Sequence, residues 1–563
     1  MKRSASIVVS SILLAIILSG CSGNSSIEDA YAQVCGNYLI GTSLLSISPS
    51  TGTLFGDQQV TATILEQSPG FIPTTVYLGT KARHVTVLAQ HGDELTISFT
   101  TAGTPTAGTY PLVLVDGSST CAFLGNAYKY EAPVSSYFKT FVGMGASYTA
   151  GFQSDSYNEV AQLNGPATWI ARQAGAYFPI PLIKMPGLPP EEGFEGLDTN
   201  GNFTVSLAAI ASQLFSTANF SSFFVDPSVT PYNISVPGAE IQDEVLGPAS
   251  KSSSSSFVIP LTNFLFAPYD NNFFETKDIK PEIVMAKELN PTIIVSTDEY
   301  GNDLLTGGVT PYNQFAEYIT QAVSALAATG AQVFLANVPH AINLPGFQQT
   351  AINALAPCGL TFSDITGGIQ GLDKAAGPPD NCAATFSNGT ANGTCKYNAC
   401  ESLVSIDQSV DQFNTEFENA VKGYPNVHIV SFAGLMNGTV QLAGQGVTFD
   451  SEGFPEYKIN NNVTLKMKHL GGFYSMDDLH LTNTGYAVLA SIFIQTINDK
   501  LGTTVPLPDL PSIVAADPLS PTALSDYCSL PANNEKLYCQ CVNGPASSSY
   551  ISVTTFTCST LLY

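Results

Sequence analysis

Five residues carry chemistry if the fold brings them together. Ser147 stands in Gly143-Met144-Gly145-Ala146-Ser147-Tyr148-Thr149-Ala150-Gly151, after an apolar run and at the expected start of a helix. The glycines permit a tight turn, and a helix N-terminus favours negative charge developing beside it. Taken alone, a serine here is more commonly a helix cap. It is not a Gly-x-Ser-x-Gly elbow, because position 149 is Thr. Asp477 and His480 are three apart in Ser475-Met476-Asp477-Asp478-Leu479-His480. At that spacing a carboxylate can hold the imidazole Nδ1–H and leave Nε2 as a base, with Asp478 as the competing partner. Gly238, on the Pro237-Gly238 turn, is suited to presenting a backbone N–H, and Asn302 offers a side-chain amide. With the Ser147 N–H these make a three-donor oxyanion hole. The chemistry of such a set is nucleophilic attack on a carbonyl carbon.

The elements that must position these residues are legible as two patterns. From about Leu45 to Tyr130 short strands alternate polar and apolar residues, as in His84–Leu88 and Glu94–Phe99, with a turn at His91-Gly92-Asp93 between them. Gly108–Val115 is a third candidate, and the absence of helical periodicity predicts a small β-sandwich. From Ser135 onward strand, turn and helix alternate. Tyr137–Val142, Pro291–Ser296, Gln332–Ala336 and Val427–Phe432 read as buried strands, and Phe315–Leu326 as an amphipathic helix. That order predicts a parallel sheet covered by helices on both faces, with its active site at the carboxyl ends of the strands. Of six histidines, His84 and His91 fall in the sandwich, His428 lies inside a strand, His340 follows a strand end, and His469 is unassigned.

Composition narrows the partners. The chain has 563 residues and a net charge of −25, from 20 Lys and Arg against 45 Asp and Glu. Nucleic acid and anionic lipid both need clustered cations, so neither is an expected partner. Met1-Lys2-Arg3 followed by an apolar run from Ile7 to Leu18 is too short for a membrane span and reads as a secretory signal over residues 1–20. Leu18-Ser19-Gly20-Cys21 resembles the bacterial lipobox, which implies acylation of Cys21, a tether over 21–44, and an exported lipoprotein at the cell surface or facing the periplasm. Removing residues 1–20 takes Lys2 and Arg3 with them and leaves a net charge of −27. Ten cysteines remain after Cys21, in even groups at 35 and 121, at 358, 382, 395 and 400, and at 528, 539, 541 and 558. Local disulfides are expected, with connectivity open. No metal is expected, because no histidine follows Cys539-Gln540-Cys541 and Phe203 occupies the glycine position of the calcium-like run Asp198–Asn202.

The four chemical segments resemble the consecutive blocks of the GDSL/SGNH hydrolases, Gly-Asp-Ser, Gly, Gly-x-Asn-Asp and Asp-x-x-His. The resemblance runs from about Ser135 to Leu501. It implies an α/β fold, a flavodoxin-like parallel sheet sandwiched by helices, over 135–503. It also implies Ser147 as nucleophile, Asp477 and His480 as its partners, and Ser147, Gly238 and Asn302 as the oxyanion hole. Ala146 replaces the usual Asp of the first block, and Tyr300 stands where the first Gly of the third is expected. Trp169–Gly175 and Ala336-Asn337-Val338-Pro339 resemble further family segments. Ile47-Ser48-Pro49-Ser50-Thr51-Gly52 and Ala107–Leu114 resemble the Ig-like IPT/TIG modules, placed at 45–131, and residues 504–563 form a cysteine-containing tail. The expectation is a serine ester hydrolase, esterase- or lipase-like, without a cofactor, acting on a lipid or an acylated carbohydrate. Its activity should fall at acid pH, where His480 is protonated. An acyltransferase and a catalytically silent surface binding protein are the alternatives.

Overall fold

Alternation of apolar and polar residues sets the N-terminal strands. In β3 (Gln59–Glu66) Val60, Ala62 and Ile64 are fully buried, and in β7 (Glu94–Thr100) Leu95, Ile97 and Phe99 match them. Between β1 (Thr42–Ser48) and β6 (Arg83–His91) these strands make an antiparallel sheet in the order β1-β3-β7-β6. The second sheet runs β2-β9-β8-β4-β5, from β2 (Thr51–Thr53), β4 (Pro73–Leu78), β5 (Thr80–Lys81), β8 (Gly108–Asp116) and β9 (Cys121–Glu131). Inward residues of both sheets share one core that includes Val76, Leu112, Leu114, Tyr128 and Tyr130. Each such side chain contributes roughly 1.5–3 kcal/mol by leaving water. Cys121 in this unit is disulfide-bonded.

The computed structural model describes residues 42–66, 70–117, 121–188, 223–226, 230–247, 280–297, 300–305, 310–345, 347, 398–442, 446–450, 453–468 and 470–529. The expected signal and most of the tether with Cys21 lie outside these residues, as do Cys35, Cys358, Cys382, Cys395, His469, Cys539, Cys541 and Cys558. The chain divides into two compact units, one ending at Lys139 with Ala174–Pro179 added, the other comprising Thr140–Gln173 and everything from Ile180. No helix among the described residues is long and apolar enough to cross a membrane.

Among the described residues the second unit is built on four parallel strands, β10 (Phe141–Gly143), β11 (Ile293–Ser296), β12 (Gln332–Ala336) and β13 (Val427–Val430), paired in that order. Gly143 also bridges Asn233 in parallel. The Gly143 N–H donates to Tyr232 O and the Ile234 N–H to Gly143 O, so the segment around 232–236 extends the sheet beyond β10. The expected strand at Tyr137–Val142 is shorter than predicted. Ser136–Phe138 is a 3-10 turn started by the Ser135 side chain, which accepts the Tyr137 N–H, and the strand begins only at Phe141. Helix Tyr312–Ala327 buries Phe315, Ile319, Ala322, Val323 and Leu326, the stripe that its periodicity predicts. A second, antiparallel sheet of β14 (Gly446–Phe449), β15 (Pro455–Lys458) and β16 (Thr464–Lys466) follows. It is clasped by a Lys468–Asp450 ion pair at 2.8 Å. The chain leaves this sheet directly into the Asp477–His480 segment.

Candidate active site

Ser147 leaves the sheet on a turn only glycine tolerates well. Past β10, Gly145 adopts φ +110°, a conformation that side chains oppose. Ser147 then opens the helix Ser147–Ala150. The cap position is Ala146, so Ser147 is not the capping serine. With only four helical residues the macrodipole is small, and the useful donors are the individual N–H groups at its start.

The Asp477–His480 loop docks directly against the chain that follows Ser147. The Tyr148 hydroxyl donates to Leu479 O, 331 residues away, and the Tyr486 hydroxyl to Phe152 O. Gln153 Nε2 donates to Leu481 O at 3.1 Å and the Ser154 N–H to Ser475 Oγ at 3.0 Å. Ser154 and Asp155 both sit at positive φ, +49° and +52°, which turns their successive N–H groups toward the loop. The rings of Phe152 and Tyr148 lie 4.8 and 5.6 Å from the His480 ring and fix its plane. Helix Asn483–Leu501 starts immediately afterwards, its Gly485 N–H capped by Thr482. Asp517 accepts the Thr484 N–H at 2.8 Å and the Thr484 hydroxyl at 2.6 Å. The C-terminal tail thus braces the start of this helix, which its sequence did not announce.

His480 Nδ1 donates to Asp477 Oδ2 at 2.8 Å, with side chains 7% and 4% exposed. The carboxylate can only accept, so Nδ1 carries the proton and Nε2 is the basic nitrogen of the neutral ring. Between the two adjacent aspartates the structure therefore selects Asp477. Its Oδ2 also accepts the Asp155 N–H at 2.9 Å. Its Oδ1 accepts Ser475 Oγ at 3.1 Å and the N–H groups of Leu479 and His480 at 3.0 and 2.7 Å. Burial alone would raise this carboxyl. The His480 charge and the bonds from His480 and Asp155 outweigh burial and hold it well below the usual carboxylate range.

Asn302 opens a short helix, Asn302–Leu305, just past β11. Its Nδ2 donates to Ala239 O at 2.8 Å, which ties it to the turn carrying Gly238 at φ +84°. Asp303 braces the same turn, accepting the Ile241 N–H at 2.9 Å and the Thr310 hydroxyl at 2.6 Å. Ser147 and Asn302 line one cleft of about 560 Å³, measured out into its solvent mouth. The walls are mostly apolar, with Tyr148, Tyr300, Val338, Leu344, Phe432 and Leu479 among them. Asn414 holds the backbone of Val338, accepting its N–H at 2.9 Å and donating to its carbonyl at 2.8 Å, and so fixes this part of the wall. Four of the five predicted residues thus fall into two linked pairs, Ser147 with Asn302 and Asp477 with His480. Gly238 is not among the cleft-lining residues and joins through Ala239.

The remaining histidines serve elsewhere. His340 pairs with Asp411 at 2.9 Å, and His428 meets Gln332 at 3.2 Å with its proton affinity lowered by burial and by Lys500. Asp155, Asp477 and His480 place their ligand atoms within 4.8 Å of one another, a spacing that a metal ion could also use. Asp477 already accepts five hydrogen bonds, so we read the group as an orienting network rather than a metal centre. Sequence reasoning missed Asp155, whose part is played by a backbone N–H, and Glu282, a lone acid beside Pro281 that looks like an ordinary helix start.

Residues 141–493 match the family model of the GDSL-like Lipase/Acylhydrolase. No curated protein matches the chain.

Proposed function

The chain belongs to the GDSL-like lipase/acylhydrolase family, and on that premise we propose that it is a serine carboxylic ester hydrolase whose nucleophile is Ser147. The family supplies the coarser statement, a hydrolase of esterase or lipase type. The observation that carries the finer one is the 2.8 Å bond from His480 Nδ1 to a saturated, ionised Asp477, docked onto the chain that follows Ser147. In this reading His480 Nε2 takes the Ser147 proton as Oγ attacks the ester carbonyl, and Asp477 stabilises the imidazolium. The Ser147 and Gly238 N–H groups and the Asn302 amide receive the oxyanion. His480 returns its proton to the departing alcohol, and water releases the acyl group by the reverse path.

The apolar cleft supports an ester with a greasy acyl part, from a lipid or an acylated carbohydrate. In this reading the leaving alcohol departs on the His480 side and the cleft beside Asn302 takes the acyl group. The extended sheet order, with segment 232–236 outside β10, supports the flavodoxin-like SGNH arrangement. We also propose that the two-sheet N-terminal unit is an IPT/TIG Ig-like module and that Cys21 anchors the exported protein to a membrane. Release of p-nitrophenol from short and medium acyl esters tests the enzyme directly. Ser147→Ala should lower kcat by at least about 1,000-fold, and turnover surviving that substitution would refute the assignment.

A further inference from the structure

The backbone of the nucleophile turn is held from outside by a buried acid. Three successive N–H groups meet three different segments: Gly143 donates to Tyr232 O at 2.9 Å, Met144 to Val295 O at 3.1 Å, and Gly145 to Glu282 Oε2 at 2.8 Å. The sheet ladder ends at Met144. At Gly145 the positive φ swings the next N–H away from β11, and a side chain rather than a strand receives it. The Gly145 carbonyl is pinned on its other side by the Val236 N–H at 2.8 Å. Glu282 is 4% exposed and is the first residue of helix Glu282–Glu288, whose other end leads into β11. Residue 146 cannot do this work itself, because it is an alanine, fully buried, with only a methyl group to offer.

We propose that Glu282 is the positioning residue of the nucleophile turn, its carboxylate fixing Gly145 and through it the direction of Ser147. The proposal rests on the reading of Ser147 as nucleophile. A buried N–H without an acceptor is strongly disfavoured, so losing Glu282 should make the turn rotate or admit water. Two residues further on, the Ser147 Oγ and N–H would shift with it. A displacement near 1 Å at a reacting atom costs on the order of 100-fold in rate.

The test compares Glu282→Ala with Glu282→Gln in the full chain, each checked for folding by circular dichroism. The amide oxygen of Gln accepts the same bond. We expect Glu282→Ala to lose about 100-fold in kcat with KM little changed, while Glu282→Gln stays within about tenfold of the parent. Amide hydrogen exchange across residues 143–150 should speed up in the Ala variant and not in the Gln variant. Exchange reads the anchor whether or not an ester is turned over. Absent turnover in the parent would therefore remove the esterase reading while exchange still decides the role of Glu282. Unchanged exchange and kcat in a folded Glu282→Ala protein would overturn the proposal. So would a Gln variant as impaired as the Ala variant, or a kcat loss that merely tracks the fraction unfolded.

Discussion

The interiors of the two units differ in kind. Among the described residues the N-terminal sandwich buries Ser98, Thr101 and Thr104 and no charged side chain, and its core is otherwise aliphatic and aromatic. The second unit buries acidic side chains, among them Glu240, Asp243, Glu282, Asp303 and Asp517, together with His480. Burying a charge costs several kcal/mol unless it is bonded. A fold accepts that cost where the group orients backbone or does chemistry. Here Glu282, Asp303, Asp477 and Asp517 each hold a backbone N–H at or next to a candidate site segment. The sandwich needs none of this, and its Arg83–Asp57 ion pair at 2.7 Å is only partly buried.

Substitutions in the two units should therefore separate by orders of magnitude. The largest effect is expected at Asp477, the acid of the proposed triad. Asp477→Asn keeps the shape but can present an amide N–H to His480, favouring the wrong tautomer, and should cost about 10⁴-fold in kcat. Loss of less than tenfold in steady-state assays would make Asp477 one more structural acid and erase the distinction. The acid limb of the rate profile should belong to the imidazole, because the Asp477 carboxyl sits well below the usual range. Its stabilising contribution is present above the ordinary carboxylate pKa and is lost only as pH falls through its depressed folded value.

Asp243 tests the cost of buried charge with the opposite sign. Burial pushes its carboxyl up from 3.8 to about 7. Between those values the folded chain keeps a proton that the unfolded chain has lost, so stability declines as pH rises through this window. Asn cannot ionise, and its side-chain oxygen can still accept the Glu240 N–H. Asp243→Asn should thus match the parent at pH 4 and exceed it at pH 8 by roughly 2–4 kcal/mol in urea unfolding. An equal effect at both values would show that the carboxyl is not protonated in the fold.

Tyr300 sharpens the comparison at the substrate. It lines the cleft while its ring stands edge-on to Phe315 and Phe417 at 5.6 and 5.2 Å. Tyr300→Ala should move the preferred acyl chain to greater length, with roughly a fourfold gain in kcat/KM for each extra methylene buried. An unchanged chain-length profile would mean that the ring is core alone. The smallest effect is expected in the sandwich, where Asp57→Asn should cost about 0.5 kcal/mol and leave kcat untouched.

How much of this was legible depended on whether a residue acts through its own type or through its neighbours. The short apolar runs around Ile293, Val333 and Val427 became strands because four or five residues are too few for a packed helix and their β-branched and aromatic side chains suit a pleated sheet. Asp477 and His480 were readable because three-residue spacing alone lets the two side chains meet. Tyr137–Val142 misled, since one serine hydroxyl at Ser135 diverts the first residues into a 3-10 turn. Glu282 and Asp155 were invisible for a different reason. Each matters through one contact across the fold, at 137 and 322 residues' separation, and no local pattern encodes either.

The most direct test of the central claim is to treat the purified protein with a fluorophosphonate and locate the adduct by mass spectrometry. The account predicts a single modified serine at Ser147, formed rapidly in the parent and at least about 1,000-fold more slowly in His480→Ala. No adduct, or one on another residue with Ser147 intact, would contradict it.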